Sequence, residues 1–194
     1  MVLHKNRWMY IISGWNGINA MVDNVHCFDL QTRQFAEMPS LNIARNRHSA
    51  SIIDGNIYVV GGAVNKALNT IERLDISKNS QFWTIFTIEG FSARCRAVVC
   101  RLNDSEMVIA GGFDGSRLAD AVIVSPQNKT CRTVVEHGEL GFYGRSDQTA
   151  LCQSGEVFSL ARDKDDEIHI LAFSTTTNTI KSLLCFGSCI AKQK

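Results

Sequence analysis

The sequence lacks the features that would point to a membrane, a nucleic acid or a secretory route. No apolar run approaches the roughly 18 residues of a membrane span, and the formal net charge is only +1. The apolar run near the amino terminus, Trp8 to Ile12, is too short for the core of a signal peptide. The sequence therefore predicts a cytoplasmic protein that binds neither a nucleic acid nor a membrane.

The motifs of common enzymes and cofactor sites are missing as well. There is no G-x-S-x-G motif, no GxxxxGK[ST] or GxGxxG phosphate loop and no C-x-x-C pair. The seven cysteines are odd in number and widely spread, so most are expected to be buried free thiols. The five histidines form no H-x-x-x-H or H-E-x-x-H pair, and the acidic run 163–167 lacks the glycine of a calcium loop. We predict no catalytic residue, no metal and no cofactor.

What the sequence does contain is an internal repeat of about fifty residues. An apolar run ending in a glycine pair or its counterpart recurs at spacings of 48, 50 and 50 residues, at Ser13-Gly14, Gly61-Gly62, Gly111-Gly112 and Ala161-Arg162. Three arginines run in step with it: Arg45, Arg94 and Arg145. In each unit a later apolar run opens on a large or apolar residue: Phe35, Trp83, Cys131 or Ile180.

Each unit predicts four antiparallel strands and no helix. In the second copy, HSASII and IYVVGG flank Asp54-Gly55, a strong hairpin signal, and TIERLDI and FWTIFTI supply two more strands. A small antiparallel sheet that is apolar on both faces is not stable alone and has to stack against its copies. Radial stacking of such sheets gives a β-propeller, in which the sheet edges are short and protected.

These units resemble kelch repeats. A glycine pair after the second strand and a tryptophan at the start of the fourth are typical of kelch units, and ARNRHSASIIDGNIYVVGGAVNKALNTIERLDISKNSQFW matches best. Phe35 and Cys131 replace the tryptophan in the first and third copies, and Ala161-Arg162 replaces the glycine pair in the fourth. The resemblance implies an all-β, kelch-type β-propeller of about four blades, each of four antiparallel strands.

The ends of the sequence predict an incomplete or open propeller. The expected blades are residues 1–44, 45–93, 94–144 and a degenerate fourth blade, 145–194. Only nine residues precede Tyr10, so the first blade is expected to lack a full first strand, with at most the end of one near Val2-Leu3. Kelch propellers usually have five to seven blades, which favours a fragment of a longer propeller over an arc closed by a second copy. The apolar blade faces of an open arc would promote self-association.

The candidate binding residues lie at the starts of the first strands and in the loops after the glycine pairs. These loops vary on a repeated scaffold, and aromatic residues and arginine dominate interface energetics. The candidates for binding another protein are Arg45, Arg47, Arg94, Arg96, Arg145, Trp15, Phe113, Asp114, Arg117 and Tyr143. The alternative for each arginine is a structural role, in which it pairs with backbone carbonyls or a carboxylate and holds a loop. The alternative for the aromatic residues is packing under their own loops.

Three classes of function stay open. The resemblance implies a noncatalytic protein-interaction module, with a scaffold or substrate-recognition role. The second class is a propeller enzyme of the oxidase or sugar isomerase type that binds a metal or a small molecule. The third is a partial propeller without independent activity. The chain contains no BTB or BACK segment, so it does not itself indicate a role in a ubiquitin ligase.

Overall fold

The computed structural model describes residues 1–17, 20–118, 120–135, 151–153, 156–162, 168–174, 177 and 179–186. These residues form sixteen strands in four antiparallel sheets, each with its four strands in chain order. They form no helix, and hence none that could cross a membrane. The all-β fold and the four-stranded repeat predicted from the sequence are confirmed.

We number the four sheets as blades 1 to 4, each with four consecutive strands. Blade 1 consists of β1 (Val2–His4), β2 (Trp8–Trp15), β3 (Met21–Asp29) and β4 (Gln34–Met38). Blade 2 consists of β5 (Ser49–Ile53), β6 (Asn56–Val60), β7 (Ile71–Asp75) and β8 (Thr84–Phe86). Blade 3 consists of β9 (Val98–Arg101), β10 (Met107–Ala110), β11 (Ala121–Ser125) and β12 (Thr130–Val135). Blade 4 consists of β13 (Leu151–Gln153), β14 (Glu156–Arg162), β15 (Ile168–Ser174) and β16 (Thr179–Phe186).

Blade 1 has a first strand of only three residues, at the place where the sequence predicts at most the end of one. The strand β1 pairs with β2 over three residues and is joined to it by a tight turn. In this turn the Arg7 N–H donates to the His4 carbonyl at 3.1 Å, and Lys5 and Asn6 have φ of 50° and 53°. Positive φ at both central residues suits a hairpin turn, but Lys-Asn carries no glycine to mark it. The residue boundaries between the four units stay predictions.

The blades follow one another side by side. The first strands of successive blades contact each other, β1 with β5, β5 with β9, and β9 with β13, so these strands are innermost. The outermost strands of blades 3 and 4, β12 and β16, are also in contact. Within the part of the chain that the structure describes, no sheet pairing joins blade 1 to blade 4. The four blades therefore form a propeller that is not closed by strand pairing.

Apolar clusters fill the spaces between adjacent blades. We call the face of a blade that is turned toward the preceding blade its leading face, and the opposite face its trailing face. Between blades 1 and 2 the cluster consists mainly of Tyr10, Ile12, Val25, Cys27, Ile57, Val59, Leu74 and Trp83. Between blades 2 and 3 it consists mainly of Ile53, Tyr58, Val60, Ile71, Met107, Ile109, Val122 and Val124. Blade 2 is therefore buried on both faces, as its continuous apolar strands predict.

Candidate protein-binding face

The loops after the glycine pairs and the loops that join successive blades meet at one end of the sheets. Asn46 and Ala63 exchange two backbone hydrogen bonds, at 3.1 and 2.8 Å. Cys95 and Phe113 do the same one blade further on, at 2.9 and 2.8 Å. These bonds tie the two kinds of loop into one continuous surface. We call it the loop face, and within the described residues it comprises 13–17, 42–48, 61–70, 90–97 and 111–118.

Arg45 lies entirely inside the protein, which corrects its assignment as a contact for a partner. Its side chain is 0% exposed, and the guanidinium donates to the Glu72 carboxylate at 2.6 Å and to the Gly61 carbonyl at 2.7 Å. The Arg45 backbone carbonyl accepts from the Ser13 hydroxyl of blade 1 at 2.7 Å. Arg45 therefore links blade 1 to the glycine pair of blade 2, which is the structural role named as its alternative.

Glu72 completes this link and was not identified from the sequence. Its buried carboxylate also accepts from the backbone N–H of Asn42 at 2.7 Å, from the Asn42 side-chain amide at 2.8 Å and from the Ile43 N–H at 3.2 Å. These bonds satisfy a charge that would otherwise be costly to bury. Burial lowers the pKa of Arg45, and the Glu72 carboxylate acts in the opposite direction. The signal in the sequence that could have identified Glu72 is its place as an acidic residue in the third strand of the unit.

Arg94 repeats the arrangement in blade 3. Its guanidinium makes two hydrogen bonds to the Asp120 carboxylate, at 3.0 and 2.8 Å, and one to the Gly111 carbonyl at 3.1 Å. The Arg94 carbonyl accepts from the Gly62 N–H of blade 2 at 3.0 Å. Because the side chain is buried, Arg94 also joins two blades instead of contacting a partner. Its acid, Asp120, directly precedes β11 and was likewise not identified from the sequence.

Arg47 and Arg96 each come two residues after a buried arginine but are placed differently. Arg47 is exposed and Arg96 is half-buried. Both have a left-handed backbone, with φ of 55° and 56°, and the Arg96 N–H donates to the Arg47 carbonyl at 2.7 Å. Burial raises the pKa of the Cys95 thiol, and the charges of both arginines oppose this rise. The backbones of the two arginines are therefore joined on the same part of the loop face.

The loops after the glycine pairs of blades 2 and 3 share one bridge pattern but carry different side chains. Ala63 bridges to Ala67 in blade 2, and Phe113 bridges to Arg117 at the equivalent positions in blade 3. Ala63 is buried, whereas Phe113 is 39% exposed and Arg117 is half-buried. The two loops thus share one backbone arrangement, but only the loop of blade 3 carries an aromatic residue and a cation at these positions.

Trp15 and Asp114 are the remaining candidates at the surface. Trp15 ends β2 of blade 1 and is 56% exposed. The Asp114 carboxylate accepts from the Ser116 N–H at 3.0 Å and from the Ser116 hydroxyl at 2.9 Å, and these bonds lower the pKa of Asp114. Asp114 therefore shapes its loop as well as adding charge to it. Arg145 and Tyr143 lie outside the described residues.

His48 precedes β5 and is packed against the glycine pair. A Cβ added to Gly62 would lie 2.9 Å from the His48 Cβ. Burial lowers the pKa of His48 to about 4, and the positive charges of the amino terminus and of Arg45 act in the same direction. Within the described ranges, no three His, Cys, Asp or Glu side chains come together in a way that could hold a metal ion.

Comparison with known proteins gives a family match and several similar plant proteins. The sequence model of the KLHDC2/KLHL20/DRC7 Kelch-repeats domain matches residues 1–161. An F-box/LRR-repeat/kelch-repeat protein of Arabidopsis thaliana is 34% identical over 76 residues, which are 39% of this chain and 19% of the relative. An F-box/kelch-repeat protein of the same plant is 34% identical over 82 residues, 42% of this chain and 21% of the relative.

A longer match of lower identity covers about two thirds of the chain. The acyl-CoA-binding domain-containing protein 5 of Arabidopsis thaliana is 25% identical over 137 residues, which are 66% of this chain and 21% of the relative. In each of these alignments the matched segment is about a fifth of the relative's own length.

Proposed function

This chain belongs to the kelch-repeat family, and from that premise we propose that it is a noncatalytic module that binds a partner protein through its loop face. The observation that carries the proposal is the contrast between Arg45 and Arg47. The first is buried and holds the backbone of the loop face, whereas the second is exposed on it. Family members host unrelated functions on one fold, so the argument depends on this surface.

The loop face is suited to binding because its backbone is already fixed. Arg45 and Arg94 are buried against Glu72 and Asp120, and their backbone carbonyls accept hydrogen bonds from the preceding blade. A surface that is ordered before binding loses less conformational entropy when a partner docks. Trp15 and Phe113 then offer aromatic side chains, which supply much of the binding energy at protein interfaces.

The charges on the loop face favour an acidic segment of the partner. Arg47 is exposed on it, and the carboxylate of Asp114 is engaged by its own loop. Arginine binds carboxylates in bidentate geometry. The rate of association with an acidic partner should therefore fall as the salt concentration rises.

The names of two relatives join kelch repeats to an F-box in one polypeptide. These names support, for this chain, a scaffold or substrate-recognition role within a larger assembly. The cytoplasmic location predicted from the sequence is part of the same proposal. No observation within the described residues favours the propeller-enzyme alternative.

The proposal is tested by affinity capture from an extract of the source cells with three immobilised proteins. These are the wild type, the double variant Trp15→Ala/Arg47→Ala, and the control Phe82→Ala. Phe82 is also exposed, at 80%, but it follows the carboxyl end of β7, which lies at the opposite end of the blade from the loop face. We expect the double variant to bind the captured partner at least about 30-fold more weakly, because each residue is of a hot-spot type.

The control should retain the partner with unchanged affinity. Equal retention by the wild type and the double variant would contradict a binding role for the loop face. Circular dichroism of all three proteins checks that the folds are the same, which is expected because both substituted side chains on the loop face are exposed.

A further inference from the structure

The loop after β2 of blade 1 carries the pair Asn16-Gly17, which is the one Asn-Gly pair in the sequence. Both residues are exposed on the loop face, directly after Trp15. The side-chain Cγ of an asparagine is open to attack by the backbone nitrogen of the residue that follows it. A glycine in that place favours the attack, because it has no side chain to obstruct the approach and its backbone reaches more conformations.

The structure leaves room for this attack and places a hydrogen-bond donor at the reacting group. Among the residues that the structure describes, a Cβ added at Gly17 would meet nothing within 4 Å. The backbone N–H of Ala20 donates to the side-chain oxygen of Asn16 at 3.2 Å. Negative charge develops on this oxygen when Cγ is attacked, so a donor already placed there stabilises the intermediate.

The equivalent position in blade 3 already holds an aspartate. Counting from the glycine pairs, Asn16 corresponds to Asp114, and each is followed by a glycine. Their N–H groups both donate to a loop carbonyl at 3.1 Å, Asn16 to Ala20 and Asp114 to Ser116. In both loops the side-chain oxygen also accepts from a backbone N–H. An aspartate at position 16 keeps this bond, which needs only an acceptor, so the loop is suited to carry a carboxylate there.

We propose that Asn16 is a site of spontaneous deamidation that adds a negative charge to the loop face. The Gly17 backbone nitrogen gives its proton to solvent and forms a bond to Cγ of Asn16, and the side-chain amide leaves as ammonia. Water then opens the five-membered succinimide ring at either of its two carbonyls. One asparagine and one water thus give one ammonia and one aspartate or isoaspartate, whose carboxylate is ionised at neutral pH.

Asn103 provides a matched comparison within the same chain. It is exposed too, and its side-chain oxygen likewise accepts from a backbone N–H, that of Ser105 at 2.8 Å. It is followed by Asp104 and not by a glycine. The side chain of Asp104 crowds the backbone nitrogen, and its negative charge opposes the loss of the proton. The difference in rate between Asn16 and Asn103 therefore reports the contribution of the glycine.

Incubation of the purified full chain at neutral pH in heavy-oxygen water, followed by tandem mass spectrometry, tests the proposal. We expect Asn16 to lose its amide at least about tenfold faster than Asn103, because only Asn16 precedes a glycine. The product should contain one heavy oxygen atom and include both aspartate and isoaspartate. Equal rates at the two residues would overturn the proposal, and so would an Asn16 that stays intact.

Two variants test the mechanism at the reacting pair itself. Gly17→Ala adds a side chain beside the attacking nitrogen and should slow the loss of ammonia from Asn16 at least about tenfold. Asn16→Gln keeps Gly17 and an uncharged amide but would have to close a six-membered ring, so position 16 should stay unmodified. This second variant keeps the test decisive should Gly17→Ala fold poorly. Deamidation of either variant at the rate of the wild type would contradict attack by the Gly17 nitrogen.

The effect of the new charge on binding rests on the proposed function, since it lies beside Trp15 on the face that we propose to bind an acidic segment. Asn16→Asp should bind the partner captured by the wild type at least about threefold more weakly, and the difference should shrink as salt is added. The control Asn103→Asp makes the same change in the turn between β9 and β10, at the opposite end of blade 3, and should bind like the wild type.

The two sets of measurements fail in different ways. Equal binding by Asn16→Asp and the wild type would overturn the effect of the modification on binding, while the mass spectrum would still establish the site. A wild type that captures no partner would contradict the proposed function and leave the rate of deamidation at Asn16 unaffected.

Discussion

Replacing Arg45 by methionine is expected to lower the free energy of unfolding by about 3–5 kcal/mol, because it leaves the buried carboxylate of Glu72 without its cation. The Glu72 carboxylate and the Arg45 guanidinium are both 0% exposed, so water cannot replace the lost partner. The substitution also removes the hydrogen bond to the Gly61 carbonyl. Chemical denaturation with urea measures the change.

Two further variants show whether the ion pair itself is responsible. Arg47→Met makes the same chemical change at an exposed position two residues away and should alter stability by no more than about 0.5 kcal/mol. Adding Glu72→Gln to Arg45→Met should recover part of the loss. The amide oxygen, placed where Oε2 lies, still accepts from the backbone and side-chain N–H groups of Asn42, while the unpaired charge is gone. Equal stability of the Arg45 and Arg47 variants would contradict a structural role for the buried pair.

Replacing Gly61 by alanine is expected to destabilise the protein by more than about 3 kcal/mol, since a side chain there is both strained and obstructed. Gly61 has φ of 58°, and an added Cβ would lie 2.2 Å from the Arg94 carbonyl oxygen. That oxygen belongs to the backbone of the next blade and accepts from Gly62. It can move only if the contact between blades 2 and 3 opens.

Gly90 provides the matched control for Gly61. It also has a positive φ, 79°, but an added Cβ meets nothing within 4 Å. Gly90→Ala should therefore lose only about 1–2 kcal/mol through backbone strain. Urea unfolding measures the free energy of unfolding of both variants. The difference between their losses gives the part that comes from the clash of the added Cβ at Gly61 and not from backbone strain. Similar losses would mean that the close approach of the blades at Gly61 does not limit the side chain.

The strands and their order could be predicted from the sequence because the repeat encodes them locally. Apolar runs, the Asp54-Gly55 turn and the glycine pairs each mark an element within a few residues of itself. The bounds of the short strand β1 could not be predicted as closely, because its turn uses Lys5 and Asn6 at positive φ and has no glycine to mark it.

The division of the arginines into structural and exposed ones could not be predicted in the same way. Arg45 and Arg47 stand two residues apart in a similar local sequence, and so do Arg94 and Arg96. In each pair, the buried arginine is the one that meets a carboxylate from a later part of the unit. For Arg45 this is Glu72, 27 residues further along the chain. Burial of that acid is a property of the packed blades, not of a motif.

Amide hydrogen exchange shows directly whether the loop face is a rigid part of the fold. The N–H groups of Gly62, Arg94 and Cys95 lie outside the strands but donate to backbone carbonyls of neighbouring loops. We predict that they are protected to the same degree as the amides of β6 and β10, because they open only when the blades separate. Exchange at the rate of solvent-exposed loops would contradict a face that is built and held by the buried arginines.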